Sequence, residues 1–198
     1  LLAVHAHLAG ARLLLNEIDA WRARLLRHAF PEGRLSTHDG ELIDDMLDPQ
    51  LVPSVVLINP PFSRSQGRAR DRHAALRHLR SALLRLAPGG RCAVILPDRI
   101  ETGDADWQHA TAGAHPRLHL DLPPNAYAKH GTGQAVQLIF LEKGGAGGSV
   151  PRQTCTTLGA ALAAIDAMAT PCPPQPQPIT RPSGLFRSLT RRTRPVSS

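Results

Sequence analysis

Four consecutive residues, Asn59-Pro60-Pro61-Phe62, have the side chains that chemistry on a planar amine requires. An amine conjugated to a ring, such as that of adenine, is a poor nucleophile because its lone pair is delocalised. The side-chain oxygen of Asn59 and one backbone carbonyl can together accept both amine hydrogens and return the lone pair to nitrogen. Pro60 and Pro61 remove two backbone donors and hold φ at about −65°, and Pro61 also keeps Pro60 extended. The Pro60 carbonyl is then released from any ladder and aimed by stiff backbone. Phe62 adds a face on which an extruded base stacks. The plain alternative is punctuation, since the chain holds 18 prolines in 198 residues and a strand followed by a proline turn is common. Position favours chemistry. The motif directly follows the apolar run Val55-Val56-Leu57-Ile58, and ligands of open α/β sheets bind at strand carboxyl ends.

The elements that must hold this motif alternate between helix and strand, the pattern of a parallel sheet covered by helices. Residues 1–10 read as a helix closed by Gly10, 12–18 as a strand, and 20–29 as a helix with Trp21, Leu25 and Leu26 on its apolar side. A short strand at 33–37, a helical stretch at 41–47 and a turn at 49–53 lead to the 55–58 strand. After the basic, glycine-containing loop 63–70, Asp71 is placed to cap a helix running to Ala87, with Leu76, Leu79, Leu83 and Leu86 on one stripe. Pro88-Gly89-Gly90 stops that helix and 91–96 reads as a buried strand. Residues 97–117 read as loop and helix, and 119–122 and 136–142 as the last two strands. A folded domain over 1–143 is expected, followed over 144–198 by a flexible GGAGGS linker, a short alanine-rich helix at 158–168 and a disordered Pro/Arg-rich tail.

Two strand ends before the motif carry acids. Glu17 closes the 12–18 strand, where a carboxylate can accept hydrogen bonds from ligand hydroxyls, and Ile18 beside it can pack on an adenine face. Asp39 follows the 33–37 strand, where it can accept from an adenine amino group. Taken singly, strand-end acids are usually solvated loop residues; in register with Asn59 they describe one nucleoside site.

The totals narrow the class. Hydrophobic residues make up 42% and aromatics 4%, so the core is aliphatic. The formal charge of +7 permits an anionic partner without demanding one, because Arg181, Arg187, Arg191, Arg192 and Arg194 concentrate the excess in the tail. Cys92, Cys155 and Cys172 are widely spaced, which argues against a disulfide framework or a zinc site and fits a reducing cytoplasm. The histidines show no metal-ligand spacing, and no run has the length of a membrane span.

From Leu1 to about Lys143 the chain resembles class I Rossmann-like, adenine-specific DNA methyltransferases. Within these it is most similar to the methylase module found beside strawberry-notch-like helicases. The resemblance is carried by Leu15–Asp19 (LNEID), His38–Glu41 (HDGE), Val55–Ser63 (VVLINPPFS), Leu86–Pro97 (LAPGGRCAVILP) and Ala126–Gly133 (AYAKHGTG). It implies S-adenosylmethionine as cofactor, bound by Glu17, Ile18 and Asp39, and catalysis by Asn59, Pro60 and Phe62. It further implies DNA as partner, with Pro61, Lys129 and His130 touching the target, a helicase module in the parent polypeptide, and no metal. The implied sheet is mostly parallel with a terminal antiparallel strand. The family's glycine-rich first strand and turn have no counterpart before Leu1, so a truncated methyltransferase domain is expected. Two other readings remain: methylation of a protein glutamine amide, which offers the same planar NH₂, and a non-catalytic remnant that binds nucleic acid.

Overall fold

The computed structural model describes residues 2–62, 71, 73–124, 126, 133–144 and 147–168. Helix α1 (Leu2–Leu8) ends at Gly10, whose φ of 78° is the left-handed conformation of a helix terminus. Strand β1 (Leu14–Asn16) is shorter than the 12–18 expectation, because its ladder meets only the three residues of β2 (Arg34–Ser36), in parallel register. Between them lies α2 (Ala20–Ala29), capped by Asp19, whose carboxylate accepts from the Arg22 N–H at 2.8 Å. Its expected apolar side is not buried. Ala23 is the buried residue of α2, while Trp21 and Leu25 are exposed. A one-turn helix, α3 (Ile43–Met46), leads to β3 (Val55–Ile58).

Helix α4 (Ala74–Arg85) places Leu76, Leu79 and Leu83 in the core, followed by Leu86 at its end. Asp71 does not cap it directly. The cap position belongs to His73, and Asp71 accepts from the His73 N–H while pairing with Arg77. The α4 C-terminus is satisfied from afar, by the Lys143 ammonium donating to the Leu84 and Leu86 carbonyls at 2.9 and 2.7 Å. Strand β4 (Arg91–Pro97), helix α5 (Ala105–Ala110) and strands β5 (Ala114–Asp121) and β6 (Val136–Lys143) complete the main core.

Among the described residues the strands form two sheets, a β1-β2 pair and a five-stranded sheet in the order β3-β4-β6-β5-β7. Pairings β1·β2, β3·β4 and β5·β7 are parallel, and β6 is antiparallel to both neighbours. The antiparallel strand therefore lies inside the sheet, between β4 and β5, rather than at its end. One face of this sheet packs Val94, Leu96, Ile139 and Leu141 against α4 and α5, with Trp107 buried among them. Burial there pushes the Cys92 thiol up to about 12, so it is a core side chain and not a nucleophile.

The fold continues past Lys143, where the sequence reading placed a linker. Strand β7 (Arg152–Thr154) pairs with β5, and the Arg152 guanidinium grips the Asp121 carboxylate through Nε at 2.8 Å to each oxygen. Helix α6 (Leu158–Ala167), capped by Thr157, brings Ala161 onto Leu118 and Leu120 on the second face of the sheet. Residues 169–198 lie outside the described residues.

Candidate active site

The Asn-Pro-Pro-Phe motif begins at the residue after β3, as the apolar run implied. Asn59 is exposed, Pro60 buried, Pro61 exposed and Phe62 half-buried, so the peptide is anchored at one proline and presents the asparagine outward. Its far end is tied to the neighbouring strand: the Arg99 guanidinium, in the turn after β4, donates to the Phe62 carbonyl.

That turn is itself held from beneath. Gln137 of β6 is fully buried, and its amide nitrogen donates to the Pro97 and Ile100 carbonyls at 3.0 and 2.7 Å. With both amide hydrogens committed to carbonyls, the Gln137 oxygen faces His119 Nε2 at 2.5 Å. This arrangement requires a proton on His119 Nε2, which the neutral ring supplies in its Nε2–H tautomer. Burial lowers the His119 pKa and favours that neutral form, against the opposing pull of the Gln137 hydrogen bond. Thus β5, β6 and the β4 exit together fix the platform on which the motif rests. Arg99, Gln137 and His119 were not among the sequence-predicted residues. The available signal was a glutamine inside the apolar run Val136–Leu141.

The acids stand at the adjacent exits of β1 and β2. Asn16 laces the two exits together: its amide donates to the His38 carbonyl at 3.0 Å and its oxygen accepts from Ser36 Oγ at 2.8 Å and from the His38 N–H at 3.2 Å. Glu17 follows directly, with Oε1 accepting from the Asp19 N–H at 2.9 Å and the Arg22 guanidinium at 3.3 Å. Ile18, an apolar side chain, is 38% exposed beside it. Asp39 accepts from the Glu41 N–H at 3.0 Å. Glu17 and Asp39 are therefore part-exposed carboxylates held in place by backbone donors, and an apolar residue lies next to the first. Such a set suits a ribose and an adenine, which offer hydroxyl and amine donors and an apolar face. Lys129 and His130 lie outside the described residues, as does the basic loop 63–70. Among the described residues there is no His/Cys/Asp/Glu cluster fit for a metal and no helix long and apolar enough to cross a membrane.

No family model matches the chain, and no curated protein matches its sequence. Solved structures do match. A protein from Vibrio vulnificus YJ016, assigned as a modification subunit of a type I restriction enzyme, superposes with TM-score 0.57 over 79% of this chain and 41% of its own, at 16% identity. A protein from Listeria monocytogenes assigned as a class I S-adenosylmethionine-dependent methyltransferase does so with TM-score 0.55 over 77% and 53%, at 12% identity. The fold is the Rossmann-like fold of these methyltransferases. The M protein of the type I restriction enzyme EcoKI is also similar, with TM-score 0.53 over 67% of this chain and 31% of that one, at 20% identity. The chain thus spans about a third to about half the length of these neighbours.

Proposed function

We propose that the chain forms the larger part of a methyltransferase domain that uses S-adenosylmethionine to methylate the exocyclic amine of adenine in DNA, within a longer methylase polypeptide. The observation that carries this reading is Asn59-Pro60-Pro61-Phe62 at the exit of β3, with Pro60 buried beneath an exposed Asn59 and the Phe62 carbonyl fastened by Arg99. The similarity to restriction-modification subunits supports DNA as the substrate.

In this mechanism the cofactor supplies a methyl group already activated on a sulfonium, and no metal is required. Glu17 and Asp39 hold the nucleoside part, and Ile18 packs on its base. Asn59 Oδ1 and the Pro60 carbonyl accept the two hydrogens of the target amine and stabilise the positive charge that develops on its nitrogen. Phe62 stacks on the extruded base, with Pro61 stiffening its approach and Lys129 and His130 contributing to target binding. On transfer the target amine would release one proton to solvent.

The open edges of β1 and β3 bear on cofactor affinity. Among the described residues the two sheets share no ladder, and β1 and β3 each keep one edge open to a further strand. We assign that place to a glycine-containing strand and turn supplied upstream in the longer polypeptide, where backbone would approach the cofactor closely. The 198-residue chain alone is accordingly expected to bind the cofactor weakly in calorimetry, and the extended polypeptide tightly.

In the extended polypeptide, Asn59→Ala is expected to slow transfer to an adenine-containing duplex by roughly 10²- to 10³-fold, a loss of about 3 kcal/mol of transition-state stabilisation. Cofactor affinity should be nearly unchanged. Near-full transfer by this variant would make the motif structural and end the reading. Transfer to a glutamine amide in place of DNA would reassign the substrate.

A further inference from the structure

Among the described residues β1 and β2 share no backbone ladder with β3, so within this chain other contacts set where the acids stand relative to Asn59. The contacts that do so lie on α4. Its apolar stripe faces the core, and a second stripe, Arg77, Ser81 and Arg85, repeats at the four-residue helical spacing. Each member meets the segment leaving β2, in chain order. Arg77 forks onto Glu41, with Nε to Oε2 at 2.8 Å and Nη2 to Oε1 at 3.1 Å, and also reaches Asp71 at 2.5 Å. Ser81 exchanges hydrogen bonds with Asp44, accepting from its N–H at 3.0 Å and donating to its carboxylate at 2.5 Å. Arg85 donates to the Leu51 carbonyl at 2.7 Å and to that of Asp48.

Beside this stripe, His78 donates from Nδ1 to the Ala74 carbonyl at 2.9 Å, and its Nε2 stands 4.0 Å from Asp39. Gly40 lies against this ring so closely that a Cβ there would fall 2.6 Å from His78 Cδ2. The seam is sheltered: the side chain of Glu41 is 9% exposed and Ser81 is 2% exposed. A bidentate, part-buried pair fixes geometry in a way that a solvated surface pair does not.

We propose that the polar stripe of α4, with Arg77 as its main member, is the positioning element that registers the β1-β2 sheet, and hence Asp39, against the β3 exit that carries Asn59. Arg77 touches neither group and acts through Glu41 and the short turn that connects Glu41 to Asp39. The inference rests on the proposed function only for what is being positioned; the seam itself is a matter of geometry.

Hydrogen exchange read by mass spectrometry on the 198-residue chain tests it. Arg77→Met keeps the apolar stem and removes the ion pairs. It is expected to speed exchange in β1, α2 and β2 roughly tenfold or more while β4, β5 and β6 keep their protection. Arg77→Lys, which restores one point charge without the fork, should recover part of the loss. Ser81→Ala, a milder change with the same regional signature expected, serves if Arg77→Met does not fold. Unchanged exchange in β1 and β2 would overturn the proposal. So would a uniform rise across both sheets, which would make Arg77 a general stabiliser. A null result for Asn59→Ala would remove the site reading and leave the exchange result standing.

Discussion

The two sheets of this molecule are held by different physics. The five-stranded sheet is covered on one face by α4 and α5 and on the other by α6, and it buries Leu79, Leu96, Leu120 and Ile139 completely. The β1-β2 pair has little core of its own: α1 buries nothing, α2 buries Ala23, and Leu13 and Phe30 are the other buried residues nearby. Its attachment to the rest runs through the polar seam on α4, centred on Arg77 and Glu41. The sheet that carries Asn59 therefore rests mainly on apolar packing, with the Gln137 bonds fixing the turn beside the motif, and Glu17 and Asp39 rest on hydrogen bonds and ion pairs. Apolar burial is non-directional and cumulative, whereas a few polar contacts give register with little net stability. Two regions built so differently can be lost one without the other.

The chain's two tryptophans fall on either side of this divide, Trp107 at 6% exposure and Trp21 at 65%. The largest expected effect is on the packed side. Trp107→Ala should cost about 3–5 kcal/mol in denaturant unfolding, because it empties a site lined by the main core. A cost near zero would break the comparison.

An intermediate effect belongs to pH. Burial holds the His119 pKa below its ordinary 6.5, so the unfolded chain takes up a proton before the folded one does. The contribution of His119 to stability is then complete above about pH 6.5 and is lost as pH falls toward the lower folded value. The groups facing it are Gln137 on β6, Asp121 on its own strand, which favours the charged ring, and Arg152 on β7, which opposes it. Unfolding curves measured from pH 8 down to pH 5 should show this loss in the wild type and lose that step in His119→Gln.

The smallest effect is expected at Trp21→Ala, within about 0.5 kcal/mol, since the ring leaves no cavity behind. Iodide should quench Trp21 and spare Trp107. A penalty at Trp21 comparable with that at Trp107 would mean that the β1-β2 side is packed as tightly as the larger sheet.

Much of the local structure was legible because local physics decides it. Val55–Ile58 is a strand bounded by proline on both sides, Asp19 caps α2 through its own carboxylate, and the leucines of α4 share one stripe at helical spacing. The residue types that could act on an amine were equally visible, since Asn59, Pro60, Pro61 and Phe62 owe their possible chemistry to adjacency alone. What pairing decides was not legible. Strand β5 begins at Ala114, well before the 119–122 expectation, because Pro116 argues against a strand until a partner is known. In the folded chain the ladder shifts register between Pro116 and Leu118, which accommodates the missing donor. Strand β7 has three exposed residues and no apolar pattern, and it exists by pairing with β5 and by the Arg152–Asp121 fork. The same holds for Arg77 and Gln137. Arg77 lies 36 residues from Glu41 and Gln137 lies 40 from Pro97, and a one-dimensional spacing cannot express a hydrogen bond whose length is set by how helices and strands pack. Sequence determined which residues stand at the strand ends; tertiary structure alone decided what holds those ends in place.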